Sequence, residues 1–176
     1  MVNTHIVVLG YMGSGKTTVS KKLETILNLP SYDLDHFIEN EYKMSISEIF
    51  ETKGQIEFRI IENKFLKILL NKKKKSIISL GGGTPCYHNN MDIILSFSKN
   101  VFFINTSAEI LSSRLFKEKS IRPIIESISS ISELKDFISK HLFERIVFYN
   151  QANYVINDDD KGIDDLCNKI VNKLNL

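Results

Sequence analysis

The segment Gly10-Tyr11-Met12-Gly13-Ser14-Gly15-Lys16-Thr17 matches the pattern G-x-x-x-x-G-K-[ST]. It directly follows the apolar run Ile6–Leu9 and directly precedes the amphipathic pattern Lys16–Leu27. Strand, glycine-rich bend and helix in that order form a cradle for phosphate. Gly10, Gly13 and Gly15 let successive N–H groups turn inward, and the helix begins with its positive dipole end facing the anion. Lys16 can reach β- and γ-phosphates, and Thr17 offers a hydroxyl to Mg²⁺. Gly13, Ser14, Gly15, Lys16, Thr17 and Thr18 are therefore the candidate ATP-binding residues. The motif alone leaves kinases, GTPases, motors and transporters open. The chain carries no N-K-x-D guanine-reading pattern, and its 176 residues argue against motors and transporters.

The rest of the chain alternates short apolar runs with longer helical periods. Strands are expected at His5–Leu9, Ser31–Asp33, Ser76–Leu80, Val101–Asn105 and Tyr154–Ile156. Helices are expected at Lys16–Leu27, His36–Tyr42, Gln55–Leu70, Met91–Phe97, Ala108–Leu115, Ser132–Tyr149 and Ile163–Leu174. Ser45 followed by Glu48 has capping-box spacing, which predicts a short helix to Glu51. Strands this uniformly apolar are covered on both faces. The expected fold is α/β, a single domain over 1–176 with a five-stranded parallel sheet between two helical layers. One polar stretch, Phe116 to Ser130, has no clean period and holds Arg122-Pro123. It reads as a mobile lid over about 116–130 or, alternatively, as a disordered surface loop.

Composition excludes several classes. A net charge of +2 makes no case for nucleic-acid binding, and the cluster Lys72 to Lys75 reads as a solvated connection. Cys86 and Cys167 stand far apart with no CxxC pair, which excludes a disulfide framework and suits a reducing cytosol. Met1 to Gly10 lacks a basic start and reads as a first core strand, and no apolar run is long enough to span a bilayer.

Asp33-Leu34-Asp35 follows the second strand, where the carboxyl end of a parallel strand faces the ligand crevice. Two carboxylates one residue apart could divide the work, one on the metal shell and one beside an acceptor hydroxyl. Asp35 could instead cap the helix His36–Tyr42. Gly81, Gly82 and Gly83 end the third strand and would let a ligand approach the backbone, or could form a plain flexible turn. Arg59 has Glu62 three residues on, the spacing of an ordinary surface ion pair, and Arg145 carries a similar default.

Taken together, Gly10–Thr17, Asp33-x-Asp35, Gly54-x-x-x-Phe58-Arg59, Ser79-Leu80-Gly81-Gly82-Gly83, Arg122-Pro123-Ile124-Ile125 and Glu144-Arg145 with Tyr149 resemble the shikimate kinase family in the family's order. The resemblance implies a nucleoside-monophosphate-kinase-like P-loop fold, cytoplasmic, with an acceptor-binding helical region over about 34–63. It implies transfer of the γ-phosphoryl of ATP to the 3-hydroxyl of shikimate, with one Mg²⁺ per subunit. Asp35, Lys16 and Arg122 would be catalytic, with Arg122 also touching ATP. Asp35, Arg59, Gly81, Gly82, Gly83 and Arg145 would bind shikimate, and Thr17 and Asp33 the metal, Asp33 through water. No obligate protein partner, nucleic acid or membrane is implied, and a monomer is the default. The family pattern is broken at the adenine end. The stretch from Arg114 to Arg122 lacks the usual glycine or Arg-Thr, and Asn157–Lys161 carries three aspartates and no arginine. The competing readings are a related small-molecule kinase, such as a gluconate kinase, and a nucleotide-binding regulatory domain without catalysis.

Overall fold

The chain is described by a computed structural model covering residues 4–118 and 123–174. Its strands are β1 (Ile6–Gly10), β2 (Ser31–Asp33), β3 (Ile77–Ser79), β4 (Asn100–Asn105) and β5 (Tyr154–Asn157). Its helices are α1 (Lys16–Leu27), α2 (Leu34–Tyr42), α3 (Ile46–Leu70), α4 (Asn90–Phe97), α5 (Ala108–Lys117), α6 (Pro123–Glu126), α7 (Ile131–Tyr149) and α8 (Ile163–Lys173). The strands form one parallel sheet in the order β2-β3-β1-β4-β5.

Period-two alternation along the strands sorts the core into two layers. Val7, Leu9, Ile78, Val101 and Phe103 meet α2, α3 and α4 together with Tyr149. Ile6, Val8, Ile77, Phe102 and Ile104 face the other way, onto Val19 and Leu23 of α1 and Leu166, Cys167 and Ile170 of α8. Every residue of β1 is buried, as its apolar run requires. A third apolar cluster stands beside the sheet, where Tyr11 packs with Leu111, Leu115, Ile125, Leu134 and Ile138.

The capping box at Ser45 forms in both directions, Ser45 accepting from the Glu48 N–H and the Glu48 carboxylate from the Ser45 N–H. The helix it opens runs into the next with one interruption, Gly54 at φ 78° and ψ 170°. That conformation is open to glycine and strained for other residues, so the break falls there. Lys73 to Lys75 are exposed, as the solvated connection requires, while Lys72 Nζ lies 4.8 Å above the Tyr32 ring. Cys86 and Cys167 are both free thiols. Among the described residues no helix is long and apolar enough to cross a membrane.

Sheet order determines where chemistry can occur. β1 lies between β3 and β4, so the chain leaves it toward opposite sides, and a crevice opens at the carboxyl ends of these strands. The phosphate loop follows β1, Asp33 ends β2, the three glycines follow β3, and the acidic loop follows β5.

Candidate active site

A cleft of about 290 Å³ at that edge is lined by Gly13, Gly15, Lys16, Thr17 and Thr18, by Asp33 and Asp35, and by Gly81 and Gly82. Gly13 and Gly15 hold φ of 80° and 83°, which turns the loop around the phosphate position. Ser14 is buried beneath it, its hydroxyl unpartnered. Lys16 is 8% exposed and donates from Nζ to the Tyr11 carbonyl at 2.8 Å, at the loop's own rim.

The two aspartates divide their roles differently from the expectation that Asp35 might cap the helix. Asp33 is the cap: its Oδ1 accepts from the N–H groups of Asp35 and His36 at 3.1 and 3.3 Å. Its Oδ2 accepts from the Thr17 hydroxyl at 2.7 Å. A carboxylate and a hydroxyl this close beside the phosphate loop are a hard-oxygen pair of the kind Mg²⁺ takes, with phosphate and water supplying its other ligands. Asp35, released from capping, sits in the first helical turn with its side chain in the cleft. Burial, then the charges of Asp33 and Glu62, push its carboxyl up to about 7, against the opposing pull of Lys16 and Arg59. A carboxyl so poised can take a proton near neutral pH.

The three glycines form a hydrogen-bonded turn that also leaves room for neighbouring side chains. A Cβ on Gly81 would stand 2.7 Å from Asp35 Oδ1, and one on Gly83 would stand 2.7 Å from an Arg59 guanidinium nitrogen. A Cβ on Gly82 would come 3.8 Å from Arg145 Nη1. The strip is pinned through its carbonyls. Gly81 accepts from the Thr84 N–H at 3.1 Å, Gly83 from the Cys86 N–H at 2.9 Å, and Gly82 from the Tyr149 hydroxyl at 2.5 Å.

Arg59 does pair with Glu62, at 2.8 Å, but not at the surface: the side chains are 13% and 1% exposed. The second Glu62 oxygen accepts from the Thr84 hydroxyl at 2.6 Å. The Arg59 guanidinium lies 4.2 Å over the Tyr87 ring, and its buried Nε has no partner. A buried cation with an unused donor, beside the glycine strip, is suited to an anionic ligand. Replacing it by lysine leaves a point charge in place of the planar fork. Arg59→Lys should raise the KM for a carboxylate acceptor by about tenfold or more, with the KM for ATP unchanged. An unaltered acceptor KM in steady-state kinetics would refute that role.

Sequence reasoning did not single out Tyr87 or the buried state of Glu62, since a ring in a loop and a charge on a helix carry no periodic signal. The two breaks in the family pattern prove to be partners. Arg114 donates to Asp158 at 2.7 Å and to Asp160 at 2.5 Å, and Asp158 also accepts from the Thr106 hydroxyl at 3.0 Å. The acidic loop is thus the counter-charge for Arg114. Arg122 lies outside the described residues.

The family model for shikimate kinase matches residues 12–175. A shikimate kinase of Flavobacterium johnsoniae is 41% identical over 96% of this chain and 98% of its own length. A crystal structure of the Bacteroides thetaiotaomicron shikimate kinase superposes with a TM-score of 0.89 at 34% identity, covering 98% of this chain and 99% of that one. The Acinetobacter baumannii shikimate kinase, solved in complex with shikimate, gives a TM-score of 0.84 at 29% identity over 97% and 92% of the two chains. Likeness of this extent in sequence and in fold, around a phosphate loop with an acidic and an arginine-bearing flank, leaves one conclusion: the chain belongs to the shikimate kinase family.

Proposed function

We propose that this chain transfers the γ-phosphoryl group of ATP to the 3-hydroxyl of shikimate, giving shikimate 3-phosphate and ADP on the route to chorismate. The observation that carries this reading is the glycine strip, which gathers Asp35, Arg59 and Arg145 beside the phosphate loop. Shikimate is a small ring with one carboxylate and three hydroxyls. Arg59 and Arg145 grip the carboxylate, and the N–H groups of Gly81 to Gly83 meet the ring. Asp35 accepts the proton of the attacking hydroxyl. Lys16 leaves the Tyr11 carbonyl for the β- and γ-phosphates. Arg122, carried on a lid, neutralises charge on the transferring group and helps to exclude water.

Thr17 and Asp33 would hold the single Mg²⁺, Asp33 through water, and the ion would neutralise charge developing on the phosphates. The protein works as a cytoplasmic monomer. A coupled ADP-release assay across shikimate, quinate, gluconate and AMP tests the reading. Shikimate should turn over fastest at matched concentration, and any faster acceptor would overturn the assignment.

A further inference from the structure

The phosphate-loop motif leaves its second position unspecified, and an aromatic there serves no need of the cradle, which works through backbone N–H groups. Tyr11 occupies it and is only 1% exposed. Its carbonyl accepts from Lys16 Nζ at 2.8 Å and from the Ser14 N–H at 3.2 Å, so the residue is integral to the loop. Its side chain points away from the phosphates into the cluster with Leu111, Leu115 and Ile138.

Two residues of α7 hold the ring. Its hydroxyl shares a hydrogen bond of 3.1 Å with His141 Nδ1, and His141 itself packs on Phe137 with centroids 4.3 Å apart. One turn along the same helix, the Arg145 guanidinium lies 5.4 Å from the Tyr11 centroid. The contrast with Arg59 is chemical. Arg59 is steered by the Glu62 carboxylate, whereas among the described residues no carboxylate pairs with Arg145. A carboxylate partner would compete with an acidic ligand for the guanidinium donors. The Tyr149 hydroxyl also meets the guanidinium, and the Tyr11 face orients it without taking up the N–H donors that remain.

We propose that Tyr11 is a positioning residue of the acceptor site: its ring, anchored through His141, orients Arg145 toward the acceptor carboxylate. The proposal rests on the reading of Arg145 as a carboxylate-binding arginine and adds a specificity role to the loop that holds ATP. Tyr11→Leu removes the π face while keeping an apolar side chain, and it should raise the KM for shikimate roughly tenfold. In His141→Leu, which leaves the loop itself untouched, the kcat and the KM for ATP should stay near wild type. Tyr11→Phe restores the face and loses only the anchor. It should recover most of the affinity, and its remaining defect should match that of His141→Leu, a variant that leaves the loop intact should Tyr11→Leu fold poorly.

Combining Tyr11→Leu with Arg145→Gln should add nothing to the effect of Arg145→Gln alone, since residues acting through one another are not additive. An equal rise in the KM for ATP in His141→Leu, additive effects in the double variant, or a normal shikimate KM in His141→Leu would each overturn the proposal. If Arg145→Gln raises the shikimate KM and neither Tyr11→Leu nor His141→Leu does, the positioning role alone fails. If Arg145→Gln leaves the shikimate KM normal, the acceptor-site reading itself fails, and the Tyr11 role with it.

Discussion

Asp35→Asn is expected to lower kcat on the order of 10²–10⁴-fold while leaving Mg·ATP binding nearly intact. Asparagine keeps the size of the side chain but cannot accept the proton of the attacking hydroxyl. Among the loop residues that cradle phosphate only Lys16 feels the Asp35 charge, so a titration with ATP should be close to wild type. The wild-type kcat/KM for shikimate should fall about tenfold per pH unit below the Asp35 pKa, which burial and the neighbouring carboxylates raise to about 7. That limb should vanish in Asp35→Asn.

Stability should move in the opposite direction. The unfolded chain releases the Asp35 proton near 3.8, whereas the folded protein keeps it to about 7. The folded state therefore binds more protons across that window, and its stability declines as pH rises through it. Asp35→Asn removes the decline and should raise the Tm at neutral pH. An unchanged kcat would remove Asp35 from its role, and a Tm lowered at neutral pH would contradict the electrostatic account of it.

Gly81→Ala should lower kcat by about 10²-fold through a residue with no chemistry of its own, since a misplacement of about 1 Å can cost that much. The added Cβ would stand 2.7 Å from Asp35 Oδ1 and 3.1 Å from both Asp35 Oδ2 and the Thr84 hydroxyl. The carboxylate must move away from where the acceptor hydroxyl meets it. Gly83→Ala provides the matching control, because its Cβ meets the Arg59 guanidinium. The defect there should appear in the KM for shikimate, with kcat less affected. Wild-type kcat in a folded Gly81→Ala protein would show that the glycine is dispensable to Asp35.

Both effects depend on contacts between segments remote in sequence, and that separates what could be read in advance from what could not. Helix α1 and strand β2 run over the spans expected of them, Lys16–Leu27 and Ser31–Asp33, because apolar period and glycine are local signals. The capping box at Ser45 was equally legible, since it is set by a few adjacent residues. Boundaries that depend on pairing were not. Asp33 and Asp35 are equally good caps by type. The choice fell to Asp33 because β3 pairs with β2 as far as Ser79 opposite Asp33, which ends the strand there and starts the helix at Leu34.

The site divides along the same line. The loop Gly10–Thr17 could be read from its residues alone, because a phosphate cradle is built from consecutive backbone N–H groups with one lysine and one threonine at fixed offsets. Local order cannot say that Glu62 would be buried and hold Arg59, or that Asp158 and Asp160 would answer Arg114. Nor can it say that Tyr11 would turn from the phosphates to lie beneath Arg145. Those outcomes depend on the order β2-β3-β1-β4-β5, which brings the ends of five strands to one crevice. Desolvation and charge pairing act through space, and only the packed sheet sets which charges share that space.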